Sequence, residues 1–523
     1  MITSQAAATA AVATPHPEAA KAARAVLEAG GNAIDAAVAA VLTLGVVTPN
    51  MVGMGGYGGS MVIYQRAARR VVAIDFDSRA PLAYRDELFA DPKTRNTGHL
   101  SVTVPGVVAG LELARREFGS KSWATLSQHA IALAENGFPI DEELKTRADY
   151  FVKHADPASL RAQFKSGVPP AVGELFVQRD LARLLKRLAD DGPGAFYAGD
   201  IPRAIVEQVH AHGGILSEED FTRYRAKMGD AISINYRGHD LYTPPPPSGG
   251  ITTLGILKTL EQFEIAGLDP CGAEYFHLFV EAAKRCFHER QRHLGDPDFV
   301  SIPIDELLSA RNAAAKAADI RKGDLARGVE SPGSGPHTAN VCVVDRDRNA
   351  VSLTATQGYQ FGALVCIEGL GLVLAHGMSR FDFLAGHPNG PAPAKRMMHN
   401  MSPMLIQKDG EIIAALGMPG GPKIVTVTAQ LAANLIDFRL TAQQTVTAPG
   451  VHTEGDEPIA VSSRVPESVV DELKVMGHTV KRGQDVGGPK NEIGGMANAI
   501  TIDAKTGTLS AASQAGADTA LAV

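Results

Sequence analysis

The sequence predicts an α+β fold in one large layered domain or two intimate ones, and three observations point to it. The chain is 523 residues long, beyond the size at which one ordinary hydrophobic core stops growing, so one large layered domain or two intimate ones is expected. Apolar residues at helical spacing dominate from about Ser122 to Ala266, the signature of amphipathic helices. Short β-branched runs bounded by turn residues recur at Met61 to Ile74, Thr338 to Thr356 and Ile412 to Leu416, which read as strands.

In chain order, Pro15-His16-Pro17 opens a helix over Glu18 to Ala29 that Gly30-Gly31 stops, and a second helix starts at Asn32. The apolar run Ala36 to Val47 follows Asp35 directly and is too short to span a bilayer, so it reads as a buried helix. The glycine cluster Gly53-Met54-Gly55-Gly56-Tyr57-Gly58-Gly59 leads into Met61 to Tyr64 and then Val71 to Ile74, a strand pair. A dinucleotide loop would need strand before cluster and helix after it, and the order here is the reverse, which favours a structural turn. The segment Pro244 to Gly250 reads as a rigid extended turn, because proline fixes φ and removes donors. A further helix is expected from Ala273 to about Arg292, and an exposed, charged, Gly/Ser/Pro-rich loop from Ala317 to Pro336.

Composition excludes several function classes. Charged residues of both signs are interspersed for a net charge of -7, with no basic stripe, aromatic interleaving or zinc spacing, which argues against nucleic acid. Cys271, Cys286, Cys342 and Cys366 sit in mostly apolar settings without a CxxC; reduced thiols and a cytoplasmic placement are expected. The N-terminus lacks Lys or Arg before Lys21 and has no leucine-rich core, so a secretory signal is not expected, and with the longest apolar run too short to span a bilayer no membrane partner is expected.

The chemistry concentrates where the loop ends. Thr338 begins a strand that runs to Asp345, turns at Asp347-Arg348-Asn349 and returns over Ala350 to Thr356. Most threonines that begin strands serve β propensity alone. If the bond between His337 and Thr338 were cut, however, the freed α-amine, with an unperturbed pKa of about 8, would lie within reach of its own hydroxyl and act as its base. Downstream, Gly417-Met418-Pro419-Gly420-Gly421 lies between a strand and a helix. Such a turn can aim two backbone N–H groups at one point, as an oxyanion hole requires, or can be a bare helix entry.

Taken together, these segments resemble the gamma-glutamyltransferase (gamma-glutamyltranspeptidase) family over nearly the whole chain. Gly30 to Ala37, Gly53 to Gly59, Ile74-Asp75-Phe76, Gly98-His99-Leu100, Val104-Pro105-Gly106, Ser248-Gly249-Gly250, Leu294 to Phe299, the Thr338 hairpin, Met401-Ser402-Pro403 and Pro419-Gly420-Gly421 match its landmarks in order. The resemblance implies a four-layer αββα sandwich of the N-terminal-nucleophile hydrolase type. It implies self-cleavage into a large subunit, 1–337, and a small one, 338–523, from one precursor. Thr338 is then the nucleophile, Thr356 a second threonine that hydrogen-bonds it, and Gly420 and Gly421 the oxyanion hole, with no metal or organic cofactor.

Departures from the family pattern fall in the acyl pocket. Where the family holds an α-carboxylate with an arginine and paired serines, this chain has Asp77, His399 and Asn400. Where it holds an α-amine with an asparagine, a glutamine and an aspartate, this chain has Gly358, Gly377 and Arg380. An arginine in place of an acid reverses the local charge and disfavours a substrate amine. The expected substrate is therefore a small amide whose acyl group carries a carboxylate but no α-amine, oxamate-like or a dicarboxylic monoamide, gripped by Arg380 with help from His399 and Asn400. An ion pair of Arg380 with Asp77 or Asp382 is the structural alternative. The stretch Phe381 to Lys395 is shorter than the family's lid, which favours hydrolysis over transfer, as do Asn340 in place of a common histidine and Ala512-Ser513-Gln514 in place of Asp-Pro-Arg. The rival functions are a gamma-glutamyl hydrolase or transferase acting on glutathione, and an uncut, inactive scaffold protein.

Overall fold

The computed structural model describes residues 8–328, 338–483 and 496–523. Two antiparallel sheets stack face to face. The first has the order Ala520–Ala522, Ala11–Ala13, Thr338–Val344, Ala350–Thr356, Gly58–Gln65, Arg70–Asp75 and Lys227–Asp230. The second has the order Leu509–Ser513, Asn498–Ile502, Glu411–Gly417, Met404–Lys408, His239–Thr243 and Ile232–Tyr236.

Alternation along the strands dictates the layers, because successive side chains leave a strand on opposite faces. In the first sheet Cys342, Val344, Val62 and Tyr64 point inward and meet Leu405, Ala415 and Ile500 of the second. Val341, Val343, Met61 and Ile63 point outward and pack under the helices Ala33–Val47, Trp123–Asn136 and Arg179–Asp191. On the far side, Met404, Ile406 and Leu416 pack against Gly250–Leu260, Ala273–His293 and Lys423–Ile436. The result is the four-layer αββα sandwich that the resemblance implied.

Several landmarks owe their residues to local chemistry. Asn32 caps the Ala33–Val47 helix by accepting from Ile34 and Asp35, and Asp35 returns a bond to the Asn32 N–H. The same buried Asp35 carboxylate accepts from the Ser120 hydroxyl at 2.7 Å, tying the helix to the 119–121 loop. Asp75 and Asp296, from two distant landmarks, converge on buried Arg396, the latter at 2.6 Å. That clamp fixes the segment leading to His399.

Two expectations need correction. The helix-dominated stretch Ser122 to Ala266 also contains the strands Lys227–Asp230, Ile232–Tyr236 and His239–Thr243. Ile232, Ile234 and Tyr236 alternate, and Arg237 and Gly238 turn the chain with φ of 52° and 76°, a two-residue hairpin with both central residues at positive φ. The loop expected from Ala317 begins later, because the helix Ala310–Arg321, capped by the Ser309 hydroxyl on Asn312, runs through its first residues. The rest of that loop from residue 329, including His337, lies outside the described residues. All four cysteines are free thiols, and no helix among the described residues is long and apolar enough to cross a membrane.

Candidate active site

Thr338 is the first residue of a central strand, and the register sets it opposite Thr356, the last residue of the neighbouring strand. The Thr338 hydroxyl donates to Thr356 Oγ1 at 3.1 Å, and the Gly358 N–H donates to the same oxygen at 2.8 Å. Thr356 in turn pairs with Gly58 at the end of the Gly53–Gly59 cluster. That cluster is a structural turn behind the threonine pair. Tyr57, within the cluster, is buried and hydrogen-bonds Thr356; burial pushes its hydroxyl up to about 12, so it stays protonated.

Across the sandwich, the Glu411–Gly417 strand delivers the chain to Met418-Pro419-Gly420-Gly421. Gly417 lies directly against the Asn340 side chain, so this turn abuts the strand that Thr338 begins. Gly420 and Gly421 have φ of 140° and 61°, positive values that favour glycine. Among the described residues no backbone carbonyl takes either N–H. The Lys423–Ile436 helix starts immediately after them, and its N-terminal dipole adds positive potential at the turn.

The predicted acyl-pocket residues gather around Gly358 and Tyr57. Arg380 donates from one terminal nitrogen to the Gly358 carbonyl at 3.2 Å. Its Nε is buried without a hydrogen-bond partner, and no carboxylate among the described residues pairs with it. Asp77 and Asp382 are engaged elsewhere, with His399 at 2.6 Å and His387 at 3.5 Å. Gly377 contributes no polar group: it lies tight against Thr103 and Met397, and a β-carbon there would collide with the Thr103 hydroxyl.

Asp77 and His399 form a buried pair. The Met401 N–H donates to His399 Nδ1 at 3.2 Å, which leaves the ring proton on Nε2, facing Asp77 Oδ2. Burial raises the Asp77 carboxyl well above its usual range and pushes the imidazole down to about 3, so the His399 ring stays neutral. Asn400 lies beside them, its Oδ1 accepting from Arg290 at 2.8 Å. The guanidinium of Arg290 also donates to the His399 carbonyl at 2.9 Å, and burial lowers its pKa to about 10.

Sequence reasoning missed three residues here: Tyr57, His376 and Arg290. Tyr57 and His376 stand within or beside segments already singled out, and their aromatic rings amid glycines were the available signal. Arg290 lies near the end of the 21-residue Ala273–His293 helix, where nothing in the pattern distinguishes it from an exposed arginine.

A sandwich of this kind, with a threonine opening a central strand beneath a glycine turn, defines the class: an N-terminal-nucleophile hydrolase. The pattern of the Gamma-glutamyltranspeptidase family matches residues 19–523. The chain is 37% identical over 457 residues to the Glutathione hydrolase proenzyme of Pseudomonas sp. (strain A14), covering 82% of this chain and 79% of that protein. It is 36% identical over 501 residues to the Acylase ACY 1 proenzyme of Pseudomonas sp. (strain SE83), covering 92% and 89%. Among solved structures it is similar to cephalosporin acylase from Bacillus halodurans, with a TM-score of 0.89, 26% identity, and 98% and 95% of the two chains covered. The chain belongs to the gamma-glutamyltranspeptidase family and is an enzyme of glutathione hydrolase or acylase type. Its relatives are proenzymes, which implies processing into two subunits.

Proposed function

We propose that the chain is a self-processing amidohydrolase acting on small amides whose acyl group carries a carboxylate and no α-amine. Scission between His337 and Thr338 yields the fragments 1–337 and 338–523 and frees the amine of Thr338. That amine takes the proton of Thr338 Oγ1 as the oxygen attacks the amide carbon. The hydrogen bond to Thr356 orients the hydroxyl. The N–H groups of Gly420 and Gly421 stabilise the developing oxyanion. The ammonium of Thr338 then protonates the leaving amine as the carbon–nitrogen bond breaks. Water, deprotonated by the same amine, attacks the ester and releases the acid.

The observation that carries the substrate assignment is the guanidinium of Arg380, which lies beside the Thr356–Gly358 turn with no carboxylate partner among the described residues. A buried donor without a partner is costly, and a substrate carboxylate removes that cost. The same cation repels the ammonium of a glutamyl group. Relatives named as acylases, and a structural neighbour named a cephalosporin acylase, support an acyl group other than gamma-glutamyl.

A second reading is favoured by the glutathione hydrolases among the relatives: gamma-glutamyl hydrolysis or transfer in a rebuilt pocket. A panel of oxamate, glutaryl amides and gamma-glutamyl amides, followed by released ammonia or amine, separates the two. Turnover of carboxylate-bearing amides without an α-amine is expected; preferential release of glutamate from glutathione would overturn the assignment. A denaturing gel addresses the scaffold alternative: two bands are expected, and a single full-length band in the purified protein would support an uncut scaffold.

A further inference from the structure

Beside Arg380 lies a buried histidine with no role in the chemistry above. His376 and Arg380 bracket a single helical turn, Gly377–Arg380. His376 Nδ1 lies 2.8 Å from the Asn96 carbonyl. A carbonyl only accepts, so Nδ1 carries the ring proton and Nε2 presents a bare lone pair. The residue is 5% exposed, and Nε2 has no hydrogen-bond partner. Burial, reinforced by Arg380, pushes the imidazole down to about 3, so it stays neutral.

The lone pair lies against Gly358. A β-carbon on Gly358 would fall 2.7 Å from Nε2 and 2.7 Å from the Tyr57 ring. The imidazole therefore occupies the space that a side chain at position 358 would fill. Gly358 is also the residue whose carbonyl holds Arg380 and whose N–H holds Thr356. A full cation and a neutral acceptor thus flank one residue next to the threonine pair. A ligand that satisfies both carries a carboxylate and, close to it, a neutral hydrogen-bond donor. An ammonium donor suits the lone pair but not the guanidinium; a hydroxyl suits both.

Resting on the carboxylate-binding reading of Arg380, we propose that His376 is a specificity-determining residue whose Nε2 accepts a hydrogen bond from a hydroxyl on the carbon α to the substrate carboxylate, so that the preferred acyl groups are those of 2-hydroxy dicarboxylic acids.

The test compares three anilides, of 2-hydroxyglutarate (through C5), glutarate and gamma-glutamate, on the processed enzyme and on His376→Phe and His376→Gln. The wild type should favour the 2-hydroxy compound over the glutaryl one in kcat/KM by about three- to tenfold, the span of one neutral hydrogen bond. His376→Phe, which keeps the ring but not the acceptor, should bring that ratio to about one while still turning over the glutaryl anilide. His376→Gln places an amide oxygen near the position of Nε2 and should retain part of the preference; it also serves if the Phe variant fails to process, which the two-band gel reports. Equal turnover of the two anilides by the wild type, or a preference that survives in the Phe variant, overturns the inference alone. Turnover of the gamma-glutamyl anilide with neither of the two anilides that lack an α-amine accepted overturns the Arg380 reading beneath it as well.

Discussion

Replacing Arg380 with alanine probes the acyl pocket most directly. The guanidinium holds one hydrogen bond, to the Gly358 carbonyl at 3.2 Å, and its buried Nε has no partner. A hydrogen bond between charged groups contributes about 1.5–3 kcal/mol. Because Arg380 is half-buried and solvent screens part of the attraction, the lower half of that span applies, roughly 1.5–2 kcal/mol, or about 10- to 30-fold in kcat/KM. The carboxylate lies away from the scissile bond and is held equally in ground and transition states, so the loss should appear as a raised KM with kcat nearly unchanged. Initial rates of amine release from a glutaryl anilide supply both constants. Butyryl anilide, which lacks the carboxylate, is the control and should be unaffected. Arg380→Lys should recover part of the loss, since it keeps the charge but not the planar fork. Unchanged constants for the glutaryl anilide, or an equal loss for the butyryl one, would refute the reasoning and leave Arg380 a structural residue.

Three further outcomes follow from the site and from the contacts that join the fragments. Thr338→Ala should run as one band near 55 kDa on a denaturing gel, whereas Thr338→Ser, which keeps a hydroxyl, should still process; two bands from the alanine variant would remove Thr338 from the cleavage step. Thr356→Val takes the acceptor from both the Thr338 hydroxyl and the Gly358 N–H. Leaving a buried donor unpaired costs about 1–3 kcal/mol, so single-turnover acylation should slow by roughly tenfold or more; an unchanged rate would show that Thr356 does not orient the nucleophile. Glu457, in the proposed 338–523 fragment, pairs with Lys284 of the proposed 1–337 fragment at 2.5 Å. Burial opposes its charge, but hydrogen bonds from His478 and Lys284 outweigh it and hold the carboxyl down to about 2. A carboxyl depressed in the folded state adds stability above its unfolded pKa, and this stability is lost as pH falls through the folded value. The processed pair should therefore weaken between about pH 4.5 and 2, and Glu457→Gln should flatten that stretch of a pH–denaturation curve.

The parts legible in the sequence were those set by short-range rules. Asn32 and Asp35 announce a capped helix because the cap bonds span three residues, and the Thr338 hairpin shows itself through β-branched residues around Asp347-Arg348-Asn349. The hairpin over Ile232 to Thr243 was hidden because polar residues such as Ser233, Asn235 and Asp240 face out of an otherwise apolar alternation at the sheet edge, which a helical window averages away. In the site, the residue types that depart from the family pattern were visible, but their partners were not. That Asp77 takes His399 and leaves Arg380 without a carboxylate partner among the described residues depends on contacts across more than 300 residues of chain, which no local pattern encodes. His376 escaped notice because its chemistry comes from a tautomer fixed by a carbonyl at Asn96, 280 residues away.

The first sheet interleaves its strands: Thr338–Val344 lies between Ala11–Ala13 and Ala350–Thr356, and Ala520–Ala522 borders Ala11–Ala13 on the other side. Segments from before and after residue 337 are thus laced through one another, so a cut at the proposed bond would not by itself let them part. On the proposed processing, the intact polypeptide would weave the sheet before scission. Once cut, an unravelled molecule must find its other half by diffusion and rethread both edges, so recovery after denaturation becomes bimolecular and falls with dilution. An uncut variant recovers in a unimolecular step, independent of concentration.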